Sequence, residues 1–316
     1  MTNDVVSLGV APGVRMGSSV AETAFDRSTQ DVGNVLALEH VNVTVPDQEL
    51  AALFYVTGLG FTRDPYIDFG TSNMWINVGS QQLHLPRQSA QVLRGTIGLI
   101  VPDLDQLARR LARLEKHYGS HFEGTDYRCT PETDGSLLVT CPWGNRLRVH
   151  GASDSFGGLS LGMPYVELDV APGTAPGIAR FYDELLGAPT SIVDGGACAA
   201  VRIGRTQQLR FRETEAELAP YDGHHVAVYL LNFSAPYGGL LDRDLITIET
   251  NEHEYRFQDI VDLDSGTVLA TVEHEVRSMF HPLFDRELVN RNADQSLTKY
   301  RAGEDAHIGL THGGRS

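Results

Sequence analysis

The sequence predicts an α+β protein made of four repeated modules, each with a strand, a helix and three further strands. The first indication is a repeat of about 125 residues: residues 40–61 and 165–188 both show an alternating strand pattern, a polar break and an amphipathic run. The second is that GSQQLHL at 79–85 recurs as GRTQQLRF at 204–211. A period shared by strand, helix and strand indicates an internal duplication.

The first module is predicted from period-two alternation followed by helical periodicity. Its elements are a strand at 38–45, a helix at 47–57, and strands near 66–69, 73–78 and 81–86.

The second module opens with the apolar strand pattern GTIGLIV at 95–101. Pro102 and Asp103 then introduce a predicted helix at 104–116. The module closes on residues 136–151, where two strand patterns flank a Pro-Trp-Gly-Asn turn.

The third module covers residues 164–213, and the fourth opens with HHVAVYLL at 224–231. The fourth module continues with a weaker helix at 232–244 and strands at 246–251, 254–261 and 267–276.

Length and composition predict two domains of ordinary size between less regular ends. The predicted divisions are an arm at 1–35, a domain at 36–153, a Gly/Ser-rich linker at 154–163, a domain at 164–285 and an extension at 286–316.

The formal charge of −16 and a pI of about 5.1 argue against nucleic acid and anionic membrane surfaces as partners. With no secretory signal or membrane-spanning apolar stretch evident, we expect a cytoplasmic monomer or homodimer that binds a small molecule.

Three stretches carry a family resemblance: HVNVTVPD with FYVTGLGF in the first module, WGNRLRV at 143–149 and FYDELLG at 181–187. They resemble the vicinal-oxygen-chelate superfamily, which includes glyoxalase I, bleomycin-resistance proteins and extradiol dioxygenases. Over roughly residues 36–276 the resemblance implies tandem βαβββ modules that pair into two cup-shaped, partly open β-barrels. It also implies that metal ligands come from the first and last strand of each module.

At those strand positions the four modules offer, in order, His40 and His84, Thr96 and Arg148, Tyr165 and Arg210, and His225 and Glu273. Glu273 is the least fixed of these. Gln258 follows His225 by only 33 residues, whereas His84 follows His40 by 44, so Gln258 is assigned to the penultimate strand. His274 and Glu275, the neighbours of Glu273, remain alternatives.

The pairing of modules decides whether a metal site is possible. Pairing neighbouring modules would place an arginine in each cup, and arginine cannot lose its charge to become a ligand. Pairing the first module with the fourth collects His40, His84, His225 and Glu273 in one cup and leaves both arginines in the other. We therefore expect the swapped pairing, with one divalent ion (Fe, Zn, Ni, Co or Mn) in the first cup.

Three functions are compatible with this site. The first is a glyoxalase-like lyase or isomerase for a small substrate with vicinal oxygens, with Glu273 as general base. The second is an Fe(II) extradiol-type dioxygenase using two histidines and a carboxylate. The third is a ligand-binding protein without catalysis. Trp75 and Tyr229 are candidates for lining the substrate pocket, and Arg148 and Arg210 for binding substrate or another anion.

Overall fold

Two eight-stranded mixed sheets form the framework of the computed structural model, which describes residues 26–64, 67, 72–286 and 288. The chain divides into two units, Met1–Asp31 and Val32–Ser316, and both sheets belong to the second. Neither sheet closes into a barrel: each has two edge strands. The predicted α+β fold with two cup-shaped sheets is confirmed.

Each module has the predicted order of elements. The first half contains β1 (Val35–Asn42), α1 (Gln48–Ala51), β2 (Thr62–Arg63), β3 (Asn73–Val78), β4 (Gln81–Pro86), β5 (Gly95–Val101), α2 (Leu104–Tyr118), β6 (Arg128–Pro131), β7 (Leu137–Thr140) and β8 (Arg146–Gly151). The second half contains β9 (Gly162–Val170), α3 (Ala175–Leu186), β10 (Thr190–Val193), β11 (Cys198–Ile203), β12 (Gln207–Glu213), β13 (His225–Leu230), α4 (Ser234–Leu241), β14 (Ile246–Asn251), β15 (Glu254–Val261) and β16 (Val268–Ser278).

Most sequence-predicted bounds differ from the observed ones by a few residues. The predicted helix at 47–57 is α1 followed by a π-helix, Ala52–Gly58. The strand predicted near 66–69 falls almost entirely outside the described residues, and residue 67 lies in a bend. None of the helices in the described part of the chain is both long and apolar enough to cross a membrane.

The modules pair as the swapped arrangement predicts. In the first sheet β1 of module one lies antiparallel to β13 of module four, and in the second sheet β5 lies antiparallel to β9. Each sheet takes one module from the predicted domain 36–153 and one from the predicted domain 164–285. The bounds of these domains stay a prediction.

Helices pack on one face of each sheet because strand alternation divides apolar from polar side chains. In β1 and β13 the apolar positions Val41 and Val226 are fully buried in the core. In α2 the buried positions Leu107, Leu111 and Leu114 follow the helical spacing. The opposite face of each sheet is left to carry polar groups.

The repeated Gly-x-x-Gln-Gln or Gly-x-Gln-Gln motif joins the two sheets. The Gln207 side chain accepts a hydrogen bond from the Leu38 amide at 3.1 Å and donates to the Met163 carbonyl at 3.0 Å. Its repeat equivalent, Gln81, accepts one from the Met163 amide at 3.0 Å. Both glutamines are buried, so these bonds satisfy backbone groups that water does not reach.

Candidate metal centre

Three histidines from the two halves of the chain lie together on the polar face of the first sheet. His40 lies on β1, His84 on β4 and His225 on β13. One ring nitrogen of each lies within 4.8 Å of the others, and no further histidine, cysteine or carboxylate in the described part of the chain joins all three within that limit. The structure therefore brings together the three histidines that the sequence analysis selected; we refer to them as the histidine cluster.

The ring nitrogens of the cluster have the properties of metal ligands. The Nε2 atoms of His40, His84 and His225 are all buried and have no hydrogen-bond partner. Buried polar atoms in folded proteins nearly always make a hydrogen bond, so three such nitrogens without one, in rings that lie together, require an explanation. A bound cation provides one, because neutral imidazole is a ligand for Zn, Ni, Co and Fe(II).

Burial favours the neutral form of two of these rings, those of His84 and His225. It lowers the pKa of His84 to about 2, and His40 and His225 lower it in the same direction. Burial also lowers the pKa of His225. A neutral ring can offer a lone pair, whereas a protonated one cannot.

His40 is oriented by the residue before it. Its Nδ1 lies 3.0 Å from Glu39 Oε2, an arrangement in which Nδ1–H donates and Nε2 keeps its lone pair. A register shift in the β1–β13 ladder between Leu38 and His40 breaks the strict alternation here. Glu39 is consequently buried beside its neighbour rather than on the opposite face, and a carboxylate behind a ligating histidine is a common support.

The strand register identifies the fourth position of the site. His84 on β4 lies beside Asn42, two residues after His40. On the other side, the residue two after His225 is Ala227, and it lies beside Glu275 on β16. Glu275 is thus the repeat equivalent of His84.

Glu273, which the sequence analysis preferred, lies beside His225 itself, one step earlier along the same face. The structure does not bring it into the histidine cluster: its Oε1 accepts a hydrogen bond from Arg256 at 2.7 Å and lies 3.5 Å from Nδ1 of His225. The remaining alternative, His274, points away from the site. Its Nδ1 donates to the Val272 carbonyl, and its Nε2 accepts from the Tyr182 hydroxyl at 2.6 Å.

Glu275 is held close to the cluster by two arginines. Its Oε2 lies 3.4 Å from Nε2 of His225 and accepts from Arg256, while its Oε1 pairs with Arg277. Burial alone would raise the pKa of this carboxyl, but His225 and the two guanidinium groups hold it well below its usual value. Glu275 is therefore ionised at neutral pH.

The surrounding ion network carries an excess of negative charge. Arg256 and Arg277 are its two cations, and its carboxylates are Glu39, Glu254, Glu273 and Glu275. Within this network two carboxylates are not offset by arginine. Burying unbalanced charge is costly, and a divalent cation at the histidine cluster would balance it.

Sequence analysis missed most of this network, although a signal was present. Charged residues alternate at 254 and 256 on β15 and at 273, 275 and 277 on β16. The two strands are antiparallel, with Glu254 opposite Arg277 and Arg256 opposite Glu275. Opposite charges directly across an antiparallel pair stabilise it, so the two patterns read together predict a charged face.

The two aromatic residues proposed to line the pocket instead contact the site residues. The Trp75 ring stacks on the His84 ring, with centroids 3.9 Å apart. The Tyr229 hydroxyl donates to Glu39 at 3.1 Å. Both are buried and support the histidine cluster; a contact with substrate stays a prediction.

The proposed arginines lie on the other sheet, Arg148 on β8 and Arg210 on β12. His224 is buried, and its Nδ1 lies 2.6 Å from Asp222 Oδ1. It has no part in the cluster, as the alternation along β13 predicts.

Comparison with known proteins gives the fold. The sequence matches no protein-family model and no curated protein. Among solved structures, a "putative dioxygenase" from Bacillus subtilis shares 12% identity with a TM-score of 0.52, over 78% of this chain and 86% of that one. Glyoxalase I from Zea mays shares 12% identity with a TM-score of 0.50, over 77% of this chain and 92% of that one. The chain shares its fold with these two proteins, and this is the fold that the sequence resemblance implied.

Proposed function

We propose that this protein is a divalent-metal-dependent enzyme that acts on a small organic molecule with two adjacent oxygens. The observation that carries the proposal is the convergence of three histidine rings, each with a buried Nε2 that makes no hydrogen bond, next to an ion network with excess negative charge. A divalent ion held by His40, His84 and His225 would supply Lewis-acid polarisation of the substrate oxygens.

The reaction we favour is a glyoxalase-like lyase or isomerase step, and the residues around the cluster define what the protein contributes. Glu39 fixes the ring of His40, and Trp75 fixes that of His84 by stacking. Glu275 replaces Glu273 as the candidate proton acceptor, since it lies nearest to Nε2 of His225. To accept a proton it must first leave Arg256 and Arg277, because their charges favour the ionised carboxylate.

A dioxygenase is the second candidate, supported by a different property of the same residues. Both carboxylates near His225 are engaged by arginine, and the low pKa of Glu275 makes it a weak base. A reaction that does not begin with abstraction of a carbon-bound proton would tolerate this arrangement. Fe(II) sites of oxygenases use histidine and carboxylate ligands of the types present here.

Metal content and two probe reactions test the proposal together. Protein purified without added metal is expected to contain about one equivalent of a first-row divalent ion, as a single site requires. A lyase or isomerase should exchange the α-proton of dihydroxyacetone with D₂O, followed by NMR. A dioxygenase loaded anaerobically with Fe(II) should consume oxygen with catechol. Protein that neither retains metal nor takes up Zn²⁺, Co²⁺ or Fe²⁺ would instead be a binding protein without metal chemistry.

The two neighbouring glutamates on β16 offer a matched test of the fourth position. We expect Glu275→Gln to weaken Co²⁺ binding by about 10- to 100-fold, the usual effect of losing a carboxylate that supports the ligands. Glu273→Gln should change it by less than about threefold, since that side chain is more exposed and its charge is better screened. Calorimetric titration of each variant measures both values. The reverse order would return the role to Glu273.

A further inference from the structure

The polar face of the second sheet has its own set of residues at the positions equivalent to the histidine cluster and Glu275. Gly98 lies opposite Tyr165 and beside Arg148, and Glu167 lies opposite Thr96 and beside Arg210. The register rule of the first sheet therefore selects Thr96, Arg148, Tyr165 and Arg210. Neither guanidinium can bind a cation, so this face, which we call the second cup, has a different chemistry.

Tyr165 lies across the centre of the second cup. A Cβ atom at Gly98 would come within 2.5 Å of its ring, so only glycine there allows the ring to cross β5. The Tyr165 hydroxyl lies 2.8 Å from Nε2 of His150 on β8. The guanidinium carbon of Arg210 lies 4.2 Å from the ring centroid, within the range of a cation–π contact.

The guanidinium groups of the second cup are poorly neutralised. Arg212 forms ion pairs with both nearby carboxylates, that of Glu167 at 3.0 Å and that of Asp194 at 2.8 Å. Over the described residues, no carboxylate lies within 4.0 Å of the Arg210 guanidinium, whose Nε donates to the side chain of Gln208.

Among the carboxylates of the described residues, Arg148 approaches only Asp134, at 4.0 Å, and half of the Asp134 side chain is exposed. The positive charges of Arg148 and Arg210 both act electrostatically on His150. Burial lowers the pKa of this histidine, and both arginines lower it further against the opposing effect of Asp134. The two guanidinium groups therefore act on the same central region of the cup.

A cavity of about 300 Å³ opens beside Arg210. Its walls include Gln208, Arg210 and Arg212 of β12, with Ser191, Cys198 and Ala200 of the adjoining strands. Asp194 also lines it, and its carboxylate is paired with Arg212. The space is large enough for a small molecule, and the side chains of Gln208, Arg210, Arg212 and Ser191 carry hydrogen-bond donors.

We propose that the second cup binds a small oxyanion with at least two anionic oxygens, such as a phosphate or a dicarboxylate. Arginine is the side chain that best matches such groups, because its planar fork donates two parallel hydrogen bonds. The site is local: the protein as a whole carries a charge of −16 and would repel anions elsewhere. The inference does not depend on the metal centre.

The test is calorimetric titration of the full chain with inorganic phosphate and with malonate, at constant ionic strength set by NaCl. We expect saturable binding of at least one of them to wild type. Arg210→Gln should weaken that binding at least tenfold, and Arg148→Gln should weaken it less, because Arg148 contributes charge to the second cup but does not line the cavity. Arg205→Gln, an exposed arginine in the β11–β12 turn, should leave it unchanged and controls for net charge.

Binding of phosphate alone or of malonate alone would support the site and would show which of the two classes of oxyanion it binds. Arg210→Lys provides a variant that keeps the charge, and it should bind more weakly than wild type because the planar fork is lost. The proposal is overturned if wild type binds neither anion. It is also overturned if Arg210→Gln, with an unchanged circular dichroism spectrum, binds as tightly as wild type, or if only His40→Ala removes binding.

Discussion

The His40→Ala variant is expected to lose at least about 100-fold in affinity for a divalent ion, because loss of a supporting residue alone costs 10- to 100-fold. The substitution removes one of three converging nitrogens and leaves Glu39 without the ring that it orients. His225→Ala should have an effect of the same size, although residue 225 lies in the other half of the sequence. Elemental analysis after dialysis, followed by titration with Co²⁺, measures the loss.

Two comparisons make this result specific to the cluster. His253→Ala removes a partly exposed histidine at the β14–β15 turn and should retain wild-type metal content. Glu39→Gln keeps the His40 ring but weakens its support, so its loss should be intermediate. Equal metal content in wild type and in both His40→Ala and His225→Ala would refute the proposed centre.

The swapped module pairing could be predicted because, at the strand positions that the family resemblance implies for metal ligands, the alternative pairing leaves no set of residues that could hold a cation. Pairing neighbouring modules would have placed Arg148 beside His40 and His84, and Arg210 beside His225. A guanidinium group retains its charge under all ordinary conditions, so neither mixed set could hold a cation. The observed sheets separate the histidines from the arginines. The inability of arginine to bind a cation thus indicated which modules pair, and the periodicity of the sequence does not give that information.

The position of the carboxylate could not be predicted in the same way. Counting residues from His225 assumes regular strands, but the β15–β16 ladder has register shifts between Phe257 and Asp259 and between Ile260 and Val261. Each irregularity adds a residue to one strand without advancing its partner. Residue counts therefore leave Glu273 and Glu275 equally possible, and only the pairing of Ala227 with Glu275 distinguishes them.

The β-bulge before His40 likewise could not be predicted from the sequence pattern, and it determines where the Glu39 side chain lies. Strict alternation would have placed Glu39 on the face opposite His40, among the helices. The register shift instead leaves it within reach of His40, Tyr229 and Arg277. A prediction from period-two alternation fails at a β-bulge, because the extra residue changes the face on which the neighbouring side chains lie.

The duplicated glycines of the repeat motif provide the second large expected effect, on stability. Gly204 has φ of +64°, and a Cβ there would lie 2.1 Å from the backbone oxygen of Leu36 on β1. Its repeat equivalent, Gly79, has φ of +66° and the same close approach, 2.2 Å from the oxygen of Leu161. The backbone of each turn thus packs closely against the other sheet, on β1 for Gly204 and at the residue before β9 for Gly79. The glutamine that follows each glycine makes its hydrogen bonds in the same place.

Gly204→Ala is therefore expected to destabilise the protein by about 3 kcal/mol, combining the cost of a left-handed alanine with that of overpacking against backbone. Gly266→Ala is the matched control: its φ is +72°, but a Cβ there meets nothing within 4 Å, so it should cost only about 1 kcal/mol. Thermal unfolding followed by circular dichroism compares the two, and the difference between them isolates the contact between sheets. Equal shifts in the two variants would mean that the close approach of the β11–β12 turn to β1 adds nothing to stability.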